Sequence, residues 1–324
     1  MTVAFSIRWR HDHGELSEVK AAEEIVKERG QAMDVFQRTD PPMSNERSAT
    51  ALGKWFTWSN QVYQIIDYAK SILEQLPTPL VHLTTEAEGF DYTYFLPLDA
   101  IRDEAVVKGI RDVARSLRNV DVGSNIMLFT DAVNDRMTGE VLHAFLAGIR
   151  TAMVEESGDT WCAIHATPMI TGEQVGALQL HADLYVSRTL LNIFEDVARD
   201  ETGESLLLSS DDFLRLLDTL PSMPASERRR ACSLLTAEHE EDRFDDFYTL
   251  LYGAGKGFDR EPHPWTEELQ VAMNGSCARV KMQKGQGYLL DDRRWLHGRT
   301  APTGGVPIRR MHRLVFRPAS AIQR

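Results

Sequence analysis

The second half of the sequence consists of short apolar runs separated by turn-forming residues, and this pattern limits the choice of fold most. From about Trp161 each run is bounded by Gly, Pro, Ser or Asp, and the runs lie at 161–164, 175–180, 205–208, 288–290 and 311–316. Several short strands with turn signals at their ends are typical of a β-sandwich or a β-barrel. Residues 190–197 fit the period of either a helix or a strand. We therefore expect a mainly β core.

The first half of the sequence, residues 1–155, has the longer apolar periods that indicate helices. The expected helices cover Leu16–Arg29, the segment from an N-cap at Ser59 to about Leu76, the segment from a cap at Asp99 through Leu117, and residues 138–155. Short strands are expected between them at 80–83, 92–96 and 125–129. This half is thus predicted to surround the β core with helices.

A polar segment at residues 216–268 interrupts the β pattern. It is dense in charge, with ERRR at 227–230 and EHEEDRFDD at 238–246. We predict a helical insertion between strands, exposed at the surface, and a candidate for a lid. Since the sequence contains no clear linker, residues 1–324 are interpreted as a single domain.

Charge and cysteine content exclude several classes of partner and site. The 324 residues carry a formal net charge of −12, which disfavours contact with nucleic acid or anionic membranes. The cysteines Cys162, Cys232 and Cys277 are too few and too far apart for a disulfide framework or a CxxC zinc pair. No segment approaches ~18 consecutive apolar residues, and the first residues lack the apolar core of a signal peptide. A cytoplasmic location is expected.

The segment LQLHADLY contains His181 and Asp183. If the preceding strand continues through it, residues two apart point to the same face. An imidazole and a carboxylate side by side are a candidate pair of metal ligands. Alone this spacing is weak, because such pairs often occur by chance.

A second histidine, His297, follows a predicted buried strand in KGQGYLLDDRRWLHGRT. Two histidines and one carboxylate form the facial triad that leaves adjacent positions open on Fe(II). The alternative is a buried histidine that serves only the core.

Arginines alternate along the last predicted strand, VPIRRMHRLVFR. Arg309 and Arg313 share one face, and Arg310 and His312 share the other. Inward arginines are costly unless they meet anions, and a guanidinium binds a carboxylate through two parallel hydrogen bonds. An edge strand with solvated arginines is equally compatible with the pattern. A β-bulge would exchange the faces and favour Arg310 over Arg309.

Together, LQLHAD, GYLLDDRRWLHGRTAP and RRMHRLVFRP resemble the Fe(II)/2-oxoglutarate-dependent dioxygenases, in particular the taurine dioxygenase and clavaminate synthase-like family. The resemblance covers residues 161–318. It implies a mainly β fold with helical decoration, in which a double-stranded β-helix (jelly roll) is surrounded by helices.

The resemblance also implies roles for individual residues. His181, Asp183 and His297 would bind the iron. Arg309 would bind the distal carboxylate of 2-oxoglutarate, with Arg313 beside its metal-bound carboxylate. Ser205 matches the position of a threonine that often helps to bind this co-substrate. The sequence departs from the family at Asp292, where relatives usually have asparagine.

The implied activity is the oxidation, by O2 and 2-oxoglutarate, of an unactivated C–H bond in a small molecule. Hydroxylation of an amino acid, a cyclic dipeptide or a natural-product intermediate is expected, with release of succinate and CO2. The complete ligand set argues against halogenation, for which relatives lack the carboxylate. A jelly-roll metalloenzyme that does not use 2-oxoglutarate and a non-catalytic ligand-binding relative are the alternatives.

Overall fold

Thirteen strands in the described part of the chain form two β-sheets. The computed structural model describes residues 35–40, 53–73, 81–84, 92–95, 98–118, 126–157, 163–169, 178–183, 189–197, 203–236, 243–253, 262–301 and 309–316. These residues belong to one compact unit, Asp34–Arg324. The strands are β1 (Phe36–Thr39), β2 (Gly53–Trp58), β3 (Val81–Thr84), β4 (Tyr92–Phe95), β5 (Ile126–Phe129), β6 (Ala163–Met169), β7 (Leu178–His181), β8 (Thr189–Val197), β9 (Ser205–Ser209), β10 (Ala278–Val280), β11 (Gly287–Asp291), β12 (Trp295–Arg299) and β13 (Arg309–Phe316).

The larger sheet has the strand order β1-β2-β5-β11-β8-β13-β6-β4-β3, and the smaller sheet has the order β10-β9-β12-β7. Neighbouring strands are antiparallel except β2 and β5, which are parallel. The described structure is therefore a mixed α/β fold built on two sheets. The strands predicted between residues 80 and 129 and after residue 161 are present, most of them within three residues of their expected ends, but the strand expected at 161–164 is β6 and extends to Met169.

Seven α-helices occur in the described residues: α1 (Asn60–Leu73), α2 (Glu104–Arg118), α3 (Gly139–Ser157), α4 (Ser210–Asp218), α5 (Ala225–Thr236), α6 (Phe244–Tyr252) and α7 (Thr266–Ser276). The predicted helix over 16–29 lies outside the described residues. Ser59 caps α1 as expected, because its Oγ accepts a hydrogen bond from the backbone N–H of Val62. None of the helices in the described ranges is long and apolar enough to cross a membrane.

The predicted cap at Asp99 is wrong. Asp99 lies in a short 3₁₀ turn, and α2 begins at Glu104. Asp103 caps this helix instead, since its Oδ1 accepts hydrogen bonds from the backbone N–H groups of Ala105 and Val106. An aspartate directly before the first turn can reach these N–H groups, whereas one five residues upstream cannot.

The ambiguous segment at 190–197 is the strand β8, which lies inside the larger sheet between β11 and β13. Residues 189–194 are all buried. A strand covered on both faces has no polar alternation, and this explains why its sequence also fits a helical period.

The two sheets pack against each other through a shared apolar cluster. The smaller sheet contributes Leu207, Val280 and Trp295, and the larger sheet contributes residues such as Leu128, Leu190 and Leu290. Because side chains alternate along a strand, His297 lies on the same inner face of β12 as Trp295.

The outer face of the smaller sheet is covered by α4, α5, α6 and α7, which include the helices within the predicted insertion at 216–268. Their apolar side chains pack on Leu180, Leu206, Leu208 and Leu296. Phe213 of α4 and Phe247 of α6 meet edge to face in this layer, with ring centroids 5.9 Å apart. The smaller sheet is thus fixed on both faces.

Candidate metal centre

The pairing of β7 with β12 brings together two histidines that are far apart in the sequence. His181 lies directly opposite His297 in this antiparallel pair. Their ring centroids are 4.5 Å apart. The sheet register therefore places both imidazoles on one face.

A glycine allows this close approach of the two strands. A Cβ atom at Gly298 would lie 2.8 Å from the carbonyl oxygen of Leu178 and 3.0 Å from the backbone nitrogen of Leu180. The register between β12 and β7 also shifts between His297 and Arg299. A larger residue at 298 would separate the strands that carry the two histidines.

Asp183 completes the group from just beyond the end of β7. Its Oδ1 lies 3.3 Å from Nε2 of His181, and its Oδ2 lies 3.6 Å from Nε2 of His297. The potential ligand atoms of all three residues lie within 4.8 Å of one another, and all three residues are buried. The chain thus has a His-Asp-His group with the two nitrogens and one carboxylate that suit Fe(II).

The hydrogen bonding of the histidines tests whether a metal ion suits this group. Nδ1 of His181 is 2.7 Å from the carbonyl oxygen of Gln179, which leaves Nε2 facing Asp183. Neither ring nitrogen of His297 has a hydrogen-bond partner among the described residues. Buried polar atoms without partners are rare in folded proteins, and a metal ion at Nε2 would satisfy one of them.

Comparisons with known proteins find only distant similarity, and only among solved structures. No protein-family profile and no curated protein matches the chain. Among solved structures, asparagine oxygenase (AsnO) is 14% identical with a TM-score of 0.39, covering 80% of this chain and 91% of that chain. The non-heme iron oxygenase OrfP in complex with Fe, succinate and (3R,4R)-dihydroxy-L-Arg is 13% identical with a TM-score of 0.39, covering 81% and 93%.

AsnO in complex with Fe(II), 2S,3S-3-hydroxyasparagine and succinate gives 13% identity and the same TM-score of 0.39, over 80% of this chain and 92% of that chain. OrfP is described as a non-heme iron oxygenase and AsnO as an asparagine oxygenase. At TM-scores below 0.5 the similarity gives no basis for assigning a fold or an activity to this chain.

Arg313 connects the larger sheet to the metal-binding group. Its Nη1 donates to Oδ2 of Asp183 at 2.9 Å, and its Nε donates to Oδ1 of Asn192 at 3.3 Å. Burial by itself would raise the pKa of Asp183, but the guanidinium of Arg313 reverses this effect and holds that pKa below its ordinary value of 3.8. Asp183 is therefore ionised, as a metal ligand must be.

Burial also decides the charge of His297. Removal from water lowers its pKa from 6.5 to about 3, although the nearby Asp183 opposes the change. The imidazole is therefore neutral at physiological pH, and a neutral imidazole has the free lone pair that binds a metal.

The other predicted residues lie on neighbouring strands. Ser205 is buried on β9 opposite Arg299, two positions from Leu207, which lies opposite His297. Arg309 and Arg310 begin β13, which pairs with β6 in an unbroken register from Arg309 to Val315. In the pairing of β13 with β8, Arg310 lies opposite Asp196 and the next residue, Met311, lies opposite Phe194. The pairing therefore skips one residue of β8, and the irregularity lies on β8.

Two residues near the group were not predicted from the sequence. Asn192 is fully buried on β8, and its side-chain oxygen accepts a hydrogen bond from Arg313. It lies within an apolar run, so the sequence pattern did not indicate a polar role for it. Tyr248 of α6 donates to the side-chain oxygen of Gln179, and its ring lies edge-on to His181. Its helix belongs to the charged segment, where the aromatic pattern FDDFYTLLY was the available signal.

Proposed function

We propose that this chain is an Fe(II)/2-oxoglutarate-dependent oxygenase that hydroxylates an unactivated C–H bond of a small molecule. The observation that carries the proposal is the convergence of His181, Asp183 and His297 into one buried group. We further propose that the two facing sheets are a double-stranded β-helix of the taurine dioxygenase and clavaminate synthase-like type. An amino acid, a cyclic dipeptide or a natural-product intermediate is the proposed class of substrate.

The three side chains would hold Fe(II) through Nε2 of each histidine and one oxygen of Asp183. When bound, Fe(II) with 2-oxoglutarate supplies the O2-dependent oxidation of a C–H bond, releasing succinate and CO2. The chain contributes the ionised state of Asp183 through Arg313 and the neutral state of His297 through burial. It also excludes water, since all three ligands are buried.

We assign Arg309 to the distal carboxylate of 2-oxoglutarate. The unbroken register of β13 against β6 supports this choice, because alternation then places position 309 on the same strand face as position 313. Arg310 falls on the opposite face, with the buried His312. We place Ser205 beside the co-substrate because it shares a face of the smaller sheet with His297.

A succinate-release assay tests the proposal. Purified protein is loaded with Fe(II) and 2-oxoglutarate without O2, and succinate is measured after O2 is admitted, alone and with candidate amino acids and cyclic dipeptides. We expect slow release without substrate and faster release with a substrate. Asp183→Ala abolishes both, because it removes a ligand.

The variants Arg309→Ala and Arg310→Ala form a matched pair on adjacent positions of one strand. We expect turnover to be lost in Arg309→Ala and kept in Arg310→Ala. Equal effects of the two changes would contradict the assignment of Arg309. Iron binding without dependence on 2-oxoglutarate would indicate a different metalloenzyme, and ligand binding without turnover would indicate a non-catalytic relative.

A further inference from the structure

A buried carboxyl group lies in the turn that connects β11 to β12. Asp292 follows the last residue of β11, and only 1% of its surface is exposed. A buried carboxyl group is costly unless hydrogen bonds replace the lost hydration. The groups that surround Asp292 therefore indicate what it does in the fold.

One oxygen of Asp292 faces two of the three candidate metal ligands. Its Oδ1 accepts a hydrogen bond from the backbone N–H of Asp183 at 3.1 Å. The same atom lies 3.7 Å from Nδ1 of His297, a few tenths of an ångström beyond hydrogen-bond distance. A small movement of the imidazole would bring this nitrogen within reach.

The second contact matters because a metal-bound imidazole must carry its proton on the other nitrogen. Nε2 of His297 faces Asp183, so the proton of the neutral ring belongs on Nδ1, which faces Asp292. His181 already has such an acceptor in the carbonyl oxygen of Gln179. Among the described residues, His297 has no hydrogen-bond partner at Nδ1.

We propose that Asp292 is a positioning residue of the metal centre, in which one carboxylate oxygen holds the backbone of Asp183 and accepts the Nδ1 proton of His297. This inference rests on the proposed function for the existence of the metal site. An acceptor of this kind orients the ring and makes its metal-bound nitrogen more basic. The turn residue thus sets the positions of two ligands that lie 114 residues apart in the sequence.

The test measures Co(II) binding to the full chain by visible absorption, in wild type, Asp292→Asn and Asp292→Ala. Asp291→Asn is the control, since Asp291 is the adjacent last residue of β11 and its Oδ1 accepts a hydrogen bond from the backbone N–H of Arg293. We expect Asp292→Ala to weaken Co(II) binding about 10- to 100-fold. Asp292→Asn keeps an oxygen acceptor without the charge and is expected to lose less, and Asp291→Asn to match wild type.

Proton NMR of the Co(II) protein separates positioning from a general effect on folding. Each metal-bound imidazole gives a paramagnetically shifted signal from its N–H proton, and a hydrogen bond slows the exchange of that proton with water. We expect the signal of His297 to broaden or vanish in Asp292→Ala while that of His181 remains. Because Asp292→Ala could fail to fold, the near-isosteric Asp292→Asn is measured in the same way, with a smaller effect on the His297 signal expected.

Folded Asp292 variants that bind Co(II) as tightly as wild type, or that keep an unchanged His297 signal, would overturn the inference. Failure of the proposed function is recognised separately. In that case 2-oxoglutarate leaves the Co(II) absorption of wild type unchanged, while the dependence of Co(II) affinity on Asp292 persists.

Discussion

At the scale of single residues, the low pKa of His297 makes the stability of the metal-free protein depend on pH. Burial lowers this pKa from 6.5 to about 3 in the folded chain, whereas the unfolded chain keeps the ordinary value. Between these values the unfolded state binds a proton that the folded state does not, so the free energy of unfolding falls as pH decreases. We expect this loss to begin near pH 6.5 and to approach 1.4 kcal/mol per pH unit at most.

The measurement is urea unfolding of chelator-treated protein at several pH values between 7 and 4. His297→Gln is the comparison, because a glutamine does not titrate. The slope of the unfolding free energy against pH should be smaller in this variant by up to about 1.4 kcal/mol per pH unit, the equivalent of one bound proton. The comparison is read above about pH 5, because the lowered pKa of Asp183 makes the free energy of unfolding fall mainly below that pH, as its carboxyl group is protonated in the unfolded chain. Equal slopes in the two proteins would show that His297 is protonated when folded.

Residue chemistry also shows which parts of the site the sequence could predict. The strand pattern offered His181 and Asp183 as a candidate pair of metal ligands, and the resemblance to the Fe(II)/2-oxoglutarate-dependent dioxygenases added His297 to them. The contact between Asp292 and Asp183 spans 109 residues and depends on the conformation of one turn. An aspartate in a turn has many local partners available, so its sequence does not predict a distant one.

At the scale of elements, the packing of β7 on β12 depends on Gly298. In Gly298→Ala the added methyl group would lie 2.8 Å from the carbonyl oxygen of Leu178, so the two strands must separate. We expect a loss of about 1–3 kcal/mol in the free energy of unfolding. Metal binding should weaken as well, because His181 and His297 belong to these strands.

Gly275→Ala provides the matched control for this substitution. Gly275 lies in α7, and apart from its chain neighbours and the backbone of its own helix no atom would lie within 4 Å of an added Cβ. Alanine favours helices more than glycine does, so a gain of about 0.5–1 kcal/mol is expected, with unchanged metal affinity. Both quantities are measured by urea unfolding and Co(II) titration. A Gly298→Ala protein that binds Co(II) like wild type would contradict the role given to the strand contact.

Elements were predictable where turn residues mark their ends. Strands such as β9 and β11 lie between Gly, Ser and Asp residues and have nearly their expected bounds. β1 and β2 were not predicted. β1 was missed because exposed and buried residues do not alternate along it. β2 was missed because it joins the sheet by parallel pairing with β5, which lies more than 60 residues further along the chain. Local sequence does not record such pairing.

At the scale of the whole molecule, the metal-binding group connects the two sheets. Its ligands belong to β7, its C-terminal extension and β12, and Arg313 reaches Asp183 from β13 of the larger sheet. A metal ion that binds only this folded arrangement must stabilise the entire cooperative unit. We expect Mn(II) at 100 times its dissociation constant to raise the free energy of unfolding by about 2.7 kcal/mol, measured in urea.

Two variants separate the stabilisation by bound Mn(II) from the stability of the metal-free fold. Asp183→Ala should show no Mn(II)-dependent increase, because it lacks a ligand. Phe247→Ala removes a fully buried ring from the helical layer and should lose about 3–5 kcal/mol. It should still show the full increase with Mn(II), because Phe247 packs in the apolar cluster on the outer face of the smaller sheet, whereas the contact of α6 with His181 is made by Tyr248. An increase that disappears in Phe247→Ala would mean that the outer helices hold the ligands in place, so that the layer at 210–276 belongs to the metal centre as well as to the core.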